Sequence, residues 1–264
     1  MLGRFDWDEY WRHELFRRAC DPLDFRRWKR DSQRELKGLY PGRPRLLDST
    51  AGLGDHTVNL AEEGFEVTAC DVSAVARDAT TNALEAAGLD VPVLDVPWAE
   101  LGQREERYDV VFNDALHWIY DEGELREALR GLFSCLEPGG ALVYFFADTD
   151  KPDEAEGRRV LEWDWEHNQR ARIAWQHERE GRRVSLTIVA ERGDDYIDEH
   201  HLYHVRDGAG PLQLEALTMR RVYRWDHFHL APLLEDVGFV DIRSDHFQNV
   251  KGYSFAMSRA FRPR

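Results

Sequence analysis

A doubly wound α/β fold built on a mostly parallel sheet is the class this sequence predicts, and three observations predict it. Arg45-Leu-Leu-Asp48 is an apolar run ending in a carboxylate, followed by the glycine loop Ala51-Gly-Leu-Gly54 and a helical segment. Glu66-Val-Thr-Ala-Cys-Asp71 repeats the pattern, a second run ending in an acid. Downstream, Tyr108-Asp-Val-Val-Phe-Asn113 and Gly140-Ala-Leu-Val-Tyr-Phe-Phe146 read as two more buried strands, with a helical segment between them. Strands that alternate with helical patterns form βαβ units, and such units build a parallel sheet.

Each element has a local reason. Residues 5–40 are expected to be helical, with Phe5, Tyr10, Trp11, Leu15 and Phe16 on one side of the first segment and Phe25, Trp28, Leu36 and Leu39 in the second. Pro41-Gly-Arg-Pro44 ends them. Val91-Pro-Val-Leu-Asp95 is a short third strand. In the segment Glu124 to Leu136, Leu125, Ala128, Leu129 and Leu132 recur at helical spacing until Glu137-Pro-Gly-Gly140 stops it. From about 170 to 224 the period changes to two: Ile173/Trp175/His177, Val184/Leu186/Ile188, then Ile197 to Val205. That alternation predicts antiparallel strands, with turns at Glu180-Gly181-Arg182 and Gly193-Asp-Asp195. Asp226 to Val237 returns to helix with Gly238 as its C-cap, and Phe239 to Ser244 and Tyr253 to Phe261 are the last strands. The expected organisation is a helical cap over residues 1–44, a seven-stranded core from 45–150 and 225–264, and a small antiparallel β insert over 151–224 that acts as a lid.

The glycine loop also carries information about its ligand. A dinucleotide loop places a third small residue three positions after its second glycine, where the helix packs on its strand beneath a pyrophosphate. Here that position is Thr57, and Asp48 lies four residues before Gly52. With its apolar pair, acid, three residues and Gly-x-Gly, the chain resembles the class I S-adenosylmethionine-dependent methyltransferases, whose fold is Rossmann-like. The resemblance implies that Gly52 and Gly54 let the backbone approach the methionine part of S-adenosylmethionine. It implies that Asp48 offsets the cofactor's positive end, and that Asp71 accepts both ribose hydroxyls. Asp95 would take the adenine amine and the Val96 N–H a ring nitrogen. Ala51, Val72 and Asn113 are expected in the same cofactor site, and Arg30, on the N-terminal helical segment, is expected to hold the cofactor's carboxylate.

A narrower likeness is carried by Ala51-Gly-Leu-Gly-Asp-His56, Leu60-Ala-Glu-Glu-Gly-Phe65 and Asn113-Asp-Ala-Leu-His117, with a closing Val237-Gly-Phe239. These are similar to the glycine and sarcosine N-methyltransferases, although Asp114-Ala-Leu stands where that family has Ser-Phe-small. The likeness implies a small-molecule acceptor, methylated at an amine or amino-acid nitrogen. O-methylation of a small phenol or carboxylic acid is the alternative within the class, with His117 as the base it would need. A nicotinamide-dependent oxidoreductase is the distant alternative, disfavoured by Thr57. Trp175, His201, Tyr203, Arg220 and Tyr223 of the insert are expected to face the acceptor, since aromatic rings cage cations and arginine clamps carboxylates. Methyl transfer itself asks mainly for alignment, and no metal is invoked.

Composition narrows the partners. The formal net charge is −15, from 50 acids against 35 Lys and Arg. Such a surface repels phosphate backbones, so a nucleic-acid partner is not expected. No apolar run is long enough to span a bilayer, so no membrane partner is expected. Three scattered cysteines suit reduced thiols, and a cytoplasmic location is expected. A homo-oligomer is left open.

Overall fold

The computed structural model describes residues 5–21, 25–144, 170–194, 196–222, 227–248 and 254–264, with isolated positions between 159 and 167. Two compact units divide the chain: residues 24–151 with 225–264, and residues 1–23 with 152–224. The boundary differs from a single cap over 1–44. The first helix belongs with the insert and the second with the core.

The larger unit is a seven-stranded sheet in the order β10-β11-β5-β4-β1-β2-β3. Its strands are β1 (Arg45–Asp48), β2 (Glu66–Cys70), β3 (Val93–Leu94), β4 (Tyr108–Asn113), β5 (Leu136–Tyr144), β10 (Val240–Gln248) and β11 (Ser254–Phe261). The first five run parallel, while β11 pairs antiparallel with both β5 and β10. Helices α2 (Phe25–Leu39), α3 (Asp55–Glu62), α4 (Ala74–Ala86), α5 (Glu122–Ser134) and α6 (His227–Val237) join and flank these strands. Strand β5 starts at Leu136, earlier than the expected Gly140, because the Pro-Gly-Gly turn is absorbed as an irregularity in its register with β4. The continuation expected to Phe146 lies outside the described residues.

The doubly wound, Rossmann-like order follows from burial. Strands covered on both faces must be apolar throughout, and Leu46, Leu47, Val110, Val111, Leu142 and Val143 are all fully buried. One side of the core joins Leu36 of α2 to Leu46, Leu60, Phe65, Phe112 and Met257. Strand order reverses at β1, which has β2 on one side and β4 on the other. Open α/β sheets bind ligands in the crevice at such a switch point, beyond the carboxyl ends of the strands.

The smaller unit is a four-stranded antiparallel sheet, β6 (Ala171–Arg179), β7 (Arg182–Arg192), β8 (Tyr196–Asp207) and β9 (Gln213–Val222), in sequential order. Glu180 and Gly181 both take positive φ at the β6–β7 turn, the pairing a tight hairpin requires. One face buries Val184, Leu186, Ile188, Tyr203 and Val205, with Phe16 of α1 (Trp7–Cys20) packed on it. Among the described residues, no helix is long and apolar enough to cross a membrane.

Candidate cofactor site

The glycine loop leaves β1 and enters α3 through backbone conformations that favour glycine. Gly52 has φ 52° and Gly54 φ 85°. At Gly54 a Cβ would lie 3.1 Å from the Thr80 Cα on α4, so a side chain there is strained twice over. Thr80 secures the loop from that helix, its hydroxyl donating to the Gly52 carbonyl at 3.0 Å.

Asp48, at the end of β1, is fully buried. It accepts from the Thr57 hydroxyl at 2.7 Å and from the Thr50 N–H at 3.2 Å. Burial pushes its pKa up, while His56, Thr57 and the Thr50 N–H oppose that. The carboxylate therefore braces both ends of the loop. Thr57 stands where a dinucleotide loop has a small residue, and its hydroxyl supplies the donor that a buried carboxylate needs.

Asp71, at the end of β2, is placed as expected beside the loop. Its two oxygens accept from the Gly52 N–H and the Ser73 N–H, each at 2.9 Å. A carboxylate held in this way keeps two lone-pair sites for a diol. Burial raises its pKa against those two hydrogen bonds and Arg77. Val72 beside it is 43% exposed, a flat apolar surface at the site's rim. Asp95 is more occupied than expected: Arg77 pairs with it at 2.9 Å while also donating to the Asp71 and Val72 carbonyls. Arg77 thus ties the ends of β2 and β3 together. Val96 lies in the segment after β3, before the 3-10 turn Trp98–Gln103, and the Trp98 indole donates to the Ser49 carbonyl at 2.6 Å.

Across the crevice, buried Asn113 ends β4 and donates to the Ser49 hydroxyl at 2.9 Å. Ala51, also buried, donates its N–H to the Cys70 carbonyl and so closes the loop onto β2. Next to Asn113, Asp114 points a carboxylate oxygen at His56 Nε2, 3.1 Å away. His117 stands on the 3-10 turn Leu116–Trp118, its ring 4.5 Å from that of Trp118. Arg30 does not reach this cluster. Its guanidinium pairs with Glu62 at the far end of α3, and the α2 cation beside the start of α3 is Lys29, 3.8 Å from Asp55.

The insert residues expected to face the acceptor are largely engaged within their own unit. Tyr203 is fully buried and stacks on His13 of α1 at 3.6 Å. His201 is buried beside it, Nδ1 3.4 Å from the Tyr203 hydroxyl. Arg220 forks onto Asp198 through two 2.6 Å hydrogen bonds and lies over the Tyr196 ring. Trp175 packs on the same apolar cluster. Tyr223 lies outside the described residues. The physical reason is that a half-buried sheet alternates as a site does, and here α1 supplies the cover.

A sheet of this order, with a glycine loop and an anchored carboxylate at its switch point, is the Rossmann-like arrangement that binds nucleoside ligands. Comparison with known proteins finds a match to a methyltransferase domain within it. Residues 46–140 match the family described as "Methyltransferase domain". The tRNA 5-carboxymethoxyuridine methyltransferase of Escherichia coli is 32% identical over 120 residues, 44% of this chain and 45% of that protein. The glycine/sarcosine N-methyltransferase of Halorhodospira halochloris is 31% identical over 106 residues, 39% of each chain. The chain thus spans less than half the length of these relatives. The sugar N-methyltransferase of a Streptoalloteichus species superposes with a TM-score of 0.67 at 21% identity, covering 96% of this chain and 93% of that one, a likeness of fold.

Proposed function

We propose that this protein transfers the methyl group of S-adenosylmethionine to a small-molecule acceptor, at an amine nitrogen. The observation that carries the reading is the Asp71 carboxylate, held by the Gly52 and Ser73 N–H groups at the β1/β2 edge of the crevice. Its two remaining acceptor sites suit a ribose diol, and the loop beside it has no side chain at Gly52 or Gly54 to keep a methionine tail away. Val72 and Val96 flank the adenine in this reading, and Asp95, released from Arg77, receives its amine. The protein acts by bringing acceptor and methyl group into line and keeping water out.

A second reading is favoured by one relative. The Escherichia coli protein is named for a tRNA base bearing a carboxymethoxy group, so methylation of a carboxylic acid on RNA is the competitor. The net charge of −15 opposes it, because phosphate contacts supply most nucleic-acid affinity.

Calorimetric titration with S-adenosylmethionine, S-adenosylhomocysteine and NADH tests the cofactor. Micromolar binding of the two sulfur nucleosides alone is expected, and binding of NADH alone would reject the reading. Filter binding of bulk tRNA at physiological salt separates the acceptors, with retention near the level of a non-binding control expected.

A further inference from the structure

The cofactor reading leaves unused a chain of polar side chains that runs from α2 to the end of β4. Gln33 and Asn59 are buried, at 0% and 1% exposure, between α2 and α3. The polarity of the chain is set at its far end. The Arg26 carbonyl can only accept, so the Asn59 amide nitrogen faces it, at 2.9 Å, and the Asn59 oxygen takes the Arg26 Nε–H at 3.2 Å. The same amide nitrogen donates to Gln33 Oε1 at 3.2 Å. Gln33 therefore turns its own amide N–H toward His56 Nδ1 in a short hydrogen bond.

His56 Nδ1 is consequently an acceptor, and the single imidazole proton sits on Nε2, which donates to Asp114. The negative charge of the pair is carried by Asp114, whose side chain is still 32% exposed. Burial alone would raise the Asp114 pKa, but the hydrogen bond from His56, the Lys29 charge and a hydrogen bond with Thr50 outweigh it and lower it. The other charges that bear on Asp114 are Asp48 on β1 and Asp71 at the end of β2.

We propose that Asp114 binds the acceptor nitrogen beside the transferable methyl group, with His56 and Gln33 as positioning residues that keep Asp114 charged and aimed. This rests on the methyltransferase reading above. The neutral amine gives an N–H to Asp114 and turns its lone pair to the methyl carbon. As the N–C bond forms, the C–S bond breaks with its electron pair going to sulfur. Positive charge passes from sulfonium to nitrogen, next to the carboxylate, and the product ammonium then loses its proton to solvent. An anion fixed beside the nitrogen favours the transition state, in which positive charge has begun to move from sulfur to nitrogen, over the ground state in which it lies on sulfur.

The test separates this from a purely structural relay. Imidazole 15N spectra of the S-adenosylhomocysteine complex should show Nδ1 of His56 as the acceptor and Nε2 as the donor; an Nδ1–H tautomer would overturn the proposal. Gln33→Glu keeps the shape but puts an acceptor where the N–H met Nδ1, so the imidazole proton is drawn to Nδ1 and the Nε2–H that aims Asp114 is lost. Dimethylammonium, sarcosine and a 4-amino sugar, titrated into the S-adenosylhomocysteine complex, are the charge probes. At least one should bind the parent protein, and about tenfold or more weaker to both Gln33→Glu and Asp114→Asn. Equal binding to either variant, or no binding of any probe to the parent, would overturn the assignment of Asp114. S-adenosylhomocysteine affinity should be unchanged in both variants. Its absence from the parent protein would instead overturn the cofactor reading.

Discussion

The two units each bury a histidine next to carboxylates, and the two arrangements differ in what controls the proton. In the core, His56 lies in a chain of amides whose direction a backbone carbonyl sets, so Gln33 turns an N–H toward its Nδ1 and Nε2 faces Asp114. In the antiparallel unit, His13 lies face to face with Tyr203, with Nε2 2.8 Å from Glu215 and 3.4 Å from Glu9. There burial lowers the His13 pKa, while burial and a hydrogen bond that protonated Glu215 donates to Glu9 raise that of Glu215. The lesson is that a histidine–carboxylate contact has no fixed meaning. An oriented pair at a crevice edge is a tool, and an imidazole sandwiched between a helix and a sheet is part of a core.

The largest expected effect tests the crevice side of that contrast. Gly54→Ala forces a Cβ toward the Thr80 backbone at a positive φ, and should cost roughly 1–3 kcal/mol of stability. Urea midpoints read that cost, and calorimetry should find S-adenosylhomocysteine binding lost. Binding that survives at parental affinity would mean the loop is not the cofactor's cradle.

Next in size, Asp71→Ala and Arg220→Ala should behave oppositely. The first removes the acceptor of two backbone N–H groups and the diol partner, lowering S-adenosylhomocysteine affinity by about tenfold to a hundredfold. The second leaves Asp198 without its fork and should destabilise the antiparallel unit by about 1–3 kcal/mol, with that affinity intact. Hydrogen exchange of β8 and β9 reports the loss. If Arg220→Ala instead raised acceptor KM without touching exchange, Arg220 would be a substrate clamp after all.

Thr57→Val should cost about 1–2 kcal/mol, because Asp48 stays buried with one donor fewer. Chemical denaturation measures it, and an unchanged midpoint would remove Thr57 from the bracing of the loop.

The smallest effect is in the pH response, where the sign separates the two units. His13 has a folded pKa below its unfolded value, so its contribution is complete above about pH 6.5 and is lost as pH falls through the lowered value. Glu215 has a raised pKa, so its contribution is present below the unfolded value and lost on raising pH. Asp114 has a lowered pKa, so it contributes fully above the usual carboxylate range and fades only in stronger acid. Between pH 7 and 5, His13→Gln should therefore blunt the acid sensitivity of exchange in β8 and β9. Over the same interval the stability gap between Asp114→Asn and the parent should stay constant. A gap that closes above pH 5 would contradict the fixed charge of Asp114.

Much of the core could be read from residue order alone, because its signals are local. An apolar run ending in Asp48 or Asp71, the glycines between, and the helical spacing of Leu125, Leu129 and Leu132 each act within a few residues of chain. Those fixed the βαβ order, the loop and the place of Asp71, and the change to period two at residue 170 located the antiparallel sheet. Tertiary structure alone decided the rest. Whether Tyr203 met a ligand or a helix depended on α1, more than 180 residues away, covering that face. Whether Asp48 touched a ligand or Thr57 depended on depth, and whether Arg220 was free depended on a cross-strand Asp198. Gln33 and Asn59 are polar residues on helices rich in other polar residues, so nothing in the sequence marks them, and their use of His56 and Asp114 needed α2, α3 and the end of β4 to converge. Local spacing specifies backbone form, whereas the burial of a polar group and the choice of its partner are set by whichever distant segment excludes the water.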